Sequence, residues 1–302
     1  MGGVRILPFR VPSGLFLRFL QQSRLKLVSE MEGGVKAAKI IMRTLLDPKP
    51  VPVPEEYKNR VWTPEPTVCR AAAVLCHLFY FVSTTKPGQA MPQFAAYFDQ
   101  NERKPELEPP FQSEADVLAI AIAATAACCK LYGVQCRIKY LLPVFAVTVG
   151  KTTSQEDVEN IHVEICAFEI MLTQLAVRRA LRKRHATAAL SSAPYIAEHY
   201  LSNVLHILEP PLAELTKETK NEIGEVALHL LRRGYEDPHI ALFPAESAVG
   251  AVAAAFGCCE SQLHYGRVYF AIRELNCVKP IALDIFFRML SLAQELGFRT
   301  SP

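Results

Sequence analysis

Nine cysteines and eight histidines are the side chains of this 302-residue chain with obvious metal-binding or nucleophilic chemistry. Cys128, Cys129 and Cys136 lie close in sequence, but without the CxxC spacing that a structural zinc site uses. His199 and His206 are seven positions apart and have no HExxH around them. His77 sits within an apolar run and reads as a core histidine with a hydrogen-bond partner. There is no P-loop, no GxGxxG after a strand and no GxSxG, so nothing points to nucleotide hydrolysis, dinucleotide chemistry or a serine nucleophile. No catalytic residue, metal or cofactor is expected. Two charged features remain. Lys130 closes a long uncharged run, where a helix-terminal lysine suits the dipole. Arg178, Arg179, Arg182, Lys183 and Arg184 form a basic segment with three open readings: a solvated connector, a nuclear-import signal or an anion contact.

The elements that would position these residues are helical. Half of the residues are hydrophobic and only 21% are charged, enough to bury sizeable cores. Glycine is sparse and β-branched alternation is hard to find, whereas Ala, Leu, Glu, Lys and Arg fill the periodic segments. This predicts an all-α protein. The length suggests about two domains. A net charge of +3 is too small to argue for nucleic acid. The odd number of cysteines, mostly in apolar runs, suits reduced thiols in a nuclear or cytosolic protein.

The run Val117 to Cys129 is too short to cross a bilayer, which takes about 18 to 20 apolar residues. Apolar on nearly every face and rich in alanine, it belongs at the centre of a bundle. Around it the periodicity predicts helices over Glu32 to Leu46, Thr67 to Ser83 (capped by Thr67), Gln135 to Val147 and Ser154 to Ala176. A proline cluster from Pro48 to Pro54 makes a connector, and Lys86 to Gln112 a surface insertion. Beyond the basic segment the scheme repeats, with helices expected over Pro194 to Leu208, Thr219 to Arg233, Pro244 to Phe256, Ser261 to Glu274 and Pro280 to Leu296. Ala245 to Gly257 is again Ala-rich and almost uncharged. Ahead of all this, residues 1 to 29 are basic and acid-free. They read as an extension helix (Ser13 to Val28), with a mitochondrial presequence as the minor alternative.

Several of these segments resemble the transcription-type cyclins (the C, H, K, L and T kinds). Ala72-Ala73-Val74-Leu75-Cys76-His77-Leu78-Phe79-Tyr80 is similar to the second helix of their first box, and Cys128-Cys129-Lys130-Leu131 to the end of their third. The stretch Glu164 to Leu175 resembles their fifth helix, and Ile240 to Ala255 the matching segment of the second box. Two acids that follow the lysine in the family are replaced here by Tyr132 and Gly133. The resemblance implies an N-terminal extension over residues 1–30, a first box over 31–177, a basic linker over 178–188 and a second box over 189–298. Each box would be a five-helix bundle around its Ala-rich helix. It further implies a non-catalytic nuclear subunit that activates a cyclin-dependent kinase as a heterodimer, with other transcription-complex subunits as further partners and no membrane. Lys130 and Glu164 would grip the kinase's mobile helix, with Glu159 and Glu169 as rivals to Glu164. Leu131, Tyr132, Phe168, Met171 and Leu172 would line the groove. The alternative from another class is a cyclin-fold general transcription factor or adaptor acting without a kinase. The paired CxxC ribbon of such factors is absent from this chain.

Overall fold

Every regular element of the computed structural model is helical among the residues it describes: 32–52, 55–84, 113–150, 165–176, 197–207, 215–259 and 280–298. The expected extension helix, the 86–112 insertion, the 178–184 basic segment, Glu159, Glu164 and the helix over 261–274 lie outside these residues.

The first helices follow the sequence closely. Helix α1 (Glu32–Leu46) turns Ala37, Ala38, Ile41 and Met42 inward. Its Gly33 and Gly34 lie against the Tyr80 ring, so a side chain at Gly33 would overlap that ring. Helix α2 (Pro66–Thr84) begins one residue before the expected cap. Glu65 fills the capping role instead of Thr67: its carboxylate accepts from the Val68 amide at 3.2 Å, with Pro66 in the first turn. Its last turn is closed by the Ser83 and Thr84 hydroxyls, which donate to the Phe79 and Tyr80 carbonyls. This helix is long and apolar enough to cross a membrane by length and composition. Here it is enclosed by neighbouring helices and carries the largely buried Arg70 and fully buried His77.

Helix α3 (Glu114–Leu131) is capped by Ser113, whose hydroxyl accepts from the Asp116 amide at 3.1 Å. Every residue from Val117 to Cys129 is buried. Thr125, the one hydroxyl in that run, donates to the Ala121 carbonyl. Helix α4 (Ile138–Thr148) and helix α5 (Ile165–Ala176) follow. In the second half come α6 (Glu198–Ile207), α7 (Lys217–Gly234), the short α8 (Pro238–Leu242), α9 (Pro244–Cys259) and α10 (Pro280–Glu295).

Helix pairings fall into two sets. In one, α1 and α3 both pack on α2, and α4 packs on α1 and α3. In the other, α9 touches α6, α7, α8 and α10. Its Gly250 lets α10 approach closely, since a Cβ there would sit 3.0 Å from Ile285 Cγ2. The two sets meet where α2 packs on α8.

That junction is polar. Arg70 of α2 pairs with Glu198 of α6 at 2.7 Å, with both side chains 14% exposed. The Tyr235 hydroxyl donates to Glu198 and accepts from the Ala197 amide. His77 Nε2 donates to the Tyr235 carbonyl at 2.9 Å, so the expected core histidine is present, with Nδ1 left unpartnered. Burial pushes the His77 pKa down to about 4, which keeps the ring neutral. The same burial, reinforced by Glu198, raises the Tyr235 phenol. Beside this seam, Arg288 of α10 bridges Asp284 and the α8 cap residue Asp237, and His239 Nδ1 lies 3.4 Å from Asp284.

Candidate functional site

The end of α3 is fixed by backbone hydrogen bonds before any side chain contributes. The Tyr132 amide donates to the Cys128 carbonyl, and the Val134 amide reaches back to the Cys129 carbonyl at 2.8 Å. Gly133 makes this reversal with φ of +68°. A residue with a β-carbon adopts that conformation only at a cost, so glycine belongs at this turn. The turn sets Lys130 at the surface, 64% exposed, with its ammonium 2.5 Å from Glu169 Oε1.

Glu169 belongs to α5 and is only 10% exposed. It therefore gives up most of its hydration and keeps one direct cationic partner, itself in water. Lys130 has three N–H donors and remains open to further acceptors. Glu169, one of the named rivals, thus holds the position beside Lys130.

Helix α5 is oriented by what it buries. Phe168 meets Phe79 edge-on, with ring centroids 6.0 Å apart, and Ile165, Leu172 and Leu175 are buried with it. Of the residues expected to line the groove, Phe168 and Leu172 are buried within the chain. Met171 is half-buried, and Leu131 and Tyr132 at the end of α3 are likewise partly covered. The outward face of α5 carries Ala167, Ile170 and Gln174, with Ile170 62% exposed. Ile170 was missed in the sequence. Only the phase of the helix, fixed by Phe168 and Leu172, distinguishes it from its buried neighbours.

The site thus holds a shielded carboxylate, an exposed ammonium and an uncharged helical face that leaves a large aliphatic side chain in water. Among the described residues, no group of three or more His, Cys, Asp or Glu side chains is placed to hold a metal. His206 is exposed and stands outside any such group.

Comparison with protein-family models, curated proteins and solved structures gives no match to this chain.

Proposed function

We propose that this chain is a cyclin-like regulatory subunit, built from two helical boxes, that binds and activates a cyclin-dependent kinase engaged in transcription. The observation that carries the reading is the uncharged Ile170–Met171 face of α5, bounded by the Lys130–Glu169 pair. An amphipathic helix of a partner buries its apolar side on such a face, while the charges at the rim fix its register. A kinase becomes active when its mobile helix is held inward and its Lys–Glu pair is complete, so a docking surface is sufficient for activation. Two sets of helices, each containing a buried Ala-rich helix, support the two-box arrangement. In this reading the chain is regulatory rather than catalytic, acts in the nucleus and needs no cofactor.

The test is affinity capture of the tagged full chain from native extract, with mass spectrometry and a kinase assay on the eluate. A protein kinase captured in stoichiometric amount by the wild type, and reduced at least about tenfold by Lys130→Glu, supports the reading. Undiminished capture by Lys130→Glu overturns the role given to Lys130. Recovery of polymerase or promoter DNA with no kinase overturns the kinase reading in favour of a general transcription factor or adaptor.

A further inference from the structure

From Val117 to Gln155 the sequence has no acidic residue, and Lys130, Arg137 and Lys139 are the cations of that stretch ahead of Lys151. All three are exposed. They occupy the end of α3, the connection that follows it and the first turn of α4. Other surface cations of the molecule have acids along the same helix. Lys36 pairs with Glu32 on α1, and α7 carries Glu218, Glu222 and Glu225 beside its own lysines.

The backbone keeps the three together. Gly133 turns the chain and the Val134 amide bonds back to the Cys129 carbonyl, so the connection starts beside the last turn of α3. Arg137 is three residues further on, at most about 10 Å of extended chain. The Tyr140 amide donates to the Arg137 carbonyl at 2.8 Å, and the Tyr140 carbonyl accepts from the Trp62 amide at 3.3 Å. Trp62 is itself buried, with its ring stacked 6.2 Å from that of Phe145. Arg137 and Lys139 thus stand on a support tied to the core. Along this strip Arg137 and Lys139 face water, while Val134, Ile138 and Tyr140 are half-buried between them.

These cations do little for the fold. Lys130 has Glu169, but Arg137 and Lys139 make no ion pair among the described residues, and Lys139 lies over the adjacent Tyr140 ring, 5.2 Å from its centre. Arg137 precedes α4 without making a side-chain cap bond, and the positive end of the helix dipole disfavours both charges there. The free chain therefore carries a mutual repulsion that an anionic partner relieves, and a positive field that draws acids in. We infer that Lys130, Arg137 and Lys139 form a cationic shelf beside the α5 face, and that the protein segment docking there is acidic, with carboxylates flanking its apolar contact to Ile170. The placement beside Ile170 rests on the docking reading given above, whereas the preference for an acidic chain stands on the cations themselves. Solvated charge at a rim acts mainly on the rate of association, so the docking is expected to be sensitive to salt.

Two measurements on the full chain test this. In the first, a fluorescein-labelled deca-glutamate peptide is titrated by anisotropy at about 20 mM salt, where screening is weak. Binding is expected in the wild type, weakened at least about fivefold when Arg137→Glu and Lys139→Glu are combined, and unchanged by Lys217→Glu with Arg233→Glu on α7. A thermal midpoint near wild type checks that the shelf variant is folded. No binding by the wild type, full binding by the shelf variant, or preference for an oligothymidylate of matching charge each overturns the inference. In the second, kinase capture from native extract is repeated with the shelf variant, and a drop of at least about fivefold is expected. A kinase captured equally by wild type and shelf variant overturns the acidic partner and leaves the kinase reading in place. Shelf-dependent peptide binding with no kinase captured supports the acidic partner and overturns the kinase reading.

Discussion

Two cation–glutamate pairs do different jobs in this molecule. Arg70–Glu198 lies between the two sets of helices with both side chains largely dry, and Tyr235 and the Ala197 amide supply further hydrogen bonds. Lys130–Glu169 lies at the end of α3 with the glutamate shielded and the lysine in water. Arginine suits the first position because its planar fork spreads charge over several donors and is weakly hydrated. Lysine suits the second because a compact, hydrated ammonium on a flexible stem can exchange one acceptor for another. The first pair serves internal structure, whereas the second leaves its ammonium in water.

The comparison fails if the two pairs respond alike to truncation. Arg70→Met leaves Glu198 with Arg232, 4.0 Å away and half-exposed, as its remaining cation, and is expected to cost about 3 kcal/mol in urea unfolding. A cost below about 1 kcal/mol would mean that water or Arg232 compensates Glu198 and that the seam does not depend on Arg70. The seam also carries a pH signature. The His77 pKa is depressed on folding, so the unfolded chain takes up the proton first as the pH falls. Stability should decline from about pH 6.5 to about pH 4, by about 3 kcal/mol in all, and level off below. Urea midpoints across that range should show this component, and His77→Gln should remove it while leaving the other titrations in place.

Smaller effects are expected at the rim. Glu169→Gln keeps the shape of the side chain but removes its charge, and should change stability by about 1 kcal/mol. Lys130→Met should change it by less than about 1 kcal/mol, with a thermal midpoint close to wild type, because the ammonium is solvated in either state. A large loss in Lys130→Met would make this pair structural and narrow the distinction drawn above.

The helical class was legible because apolar spacing is a local property, and α1 matches its expected bounds residue for residue. Helix ends were less so. Glu65 was passed over as the cap of α2 because threonine is the more usual residue in that role, and the choice rested on which oxygen reaches the Val68 amide. The rim was legible as a lysine with three competing glutamates, and a contact between helices brings Glu169 to it. The burial of Phe168 and Leu172 was not legible, since sequence period gives relative and not absolute orientation. Least visible of all was the seam, whose partners stand 128 and 158 positions apart.

Those long separations bear on the order of synthesis. Arg70 and His77 leave the ribosome well before Glu198 and Tyr235, the residues that satisfy them. Until then α2 has an apolar body with two polar groups and no place to bury them, so the N-terminal helices are expected to wait for the rest of the chain before setting. A nascent chain stalled before residue 198 should be cut readily by protease within α2, and one stalled with α8 fully outside the tunnel should resist. The seam is thereby expected to tie the setting of α2 to the synthesis of α6 and α8.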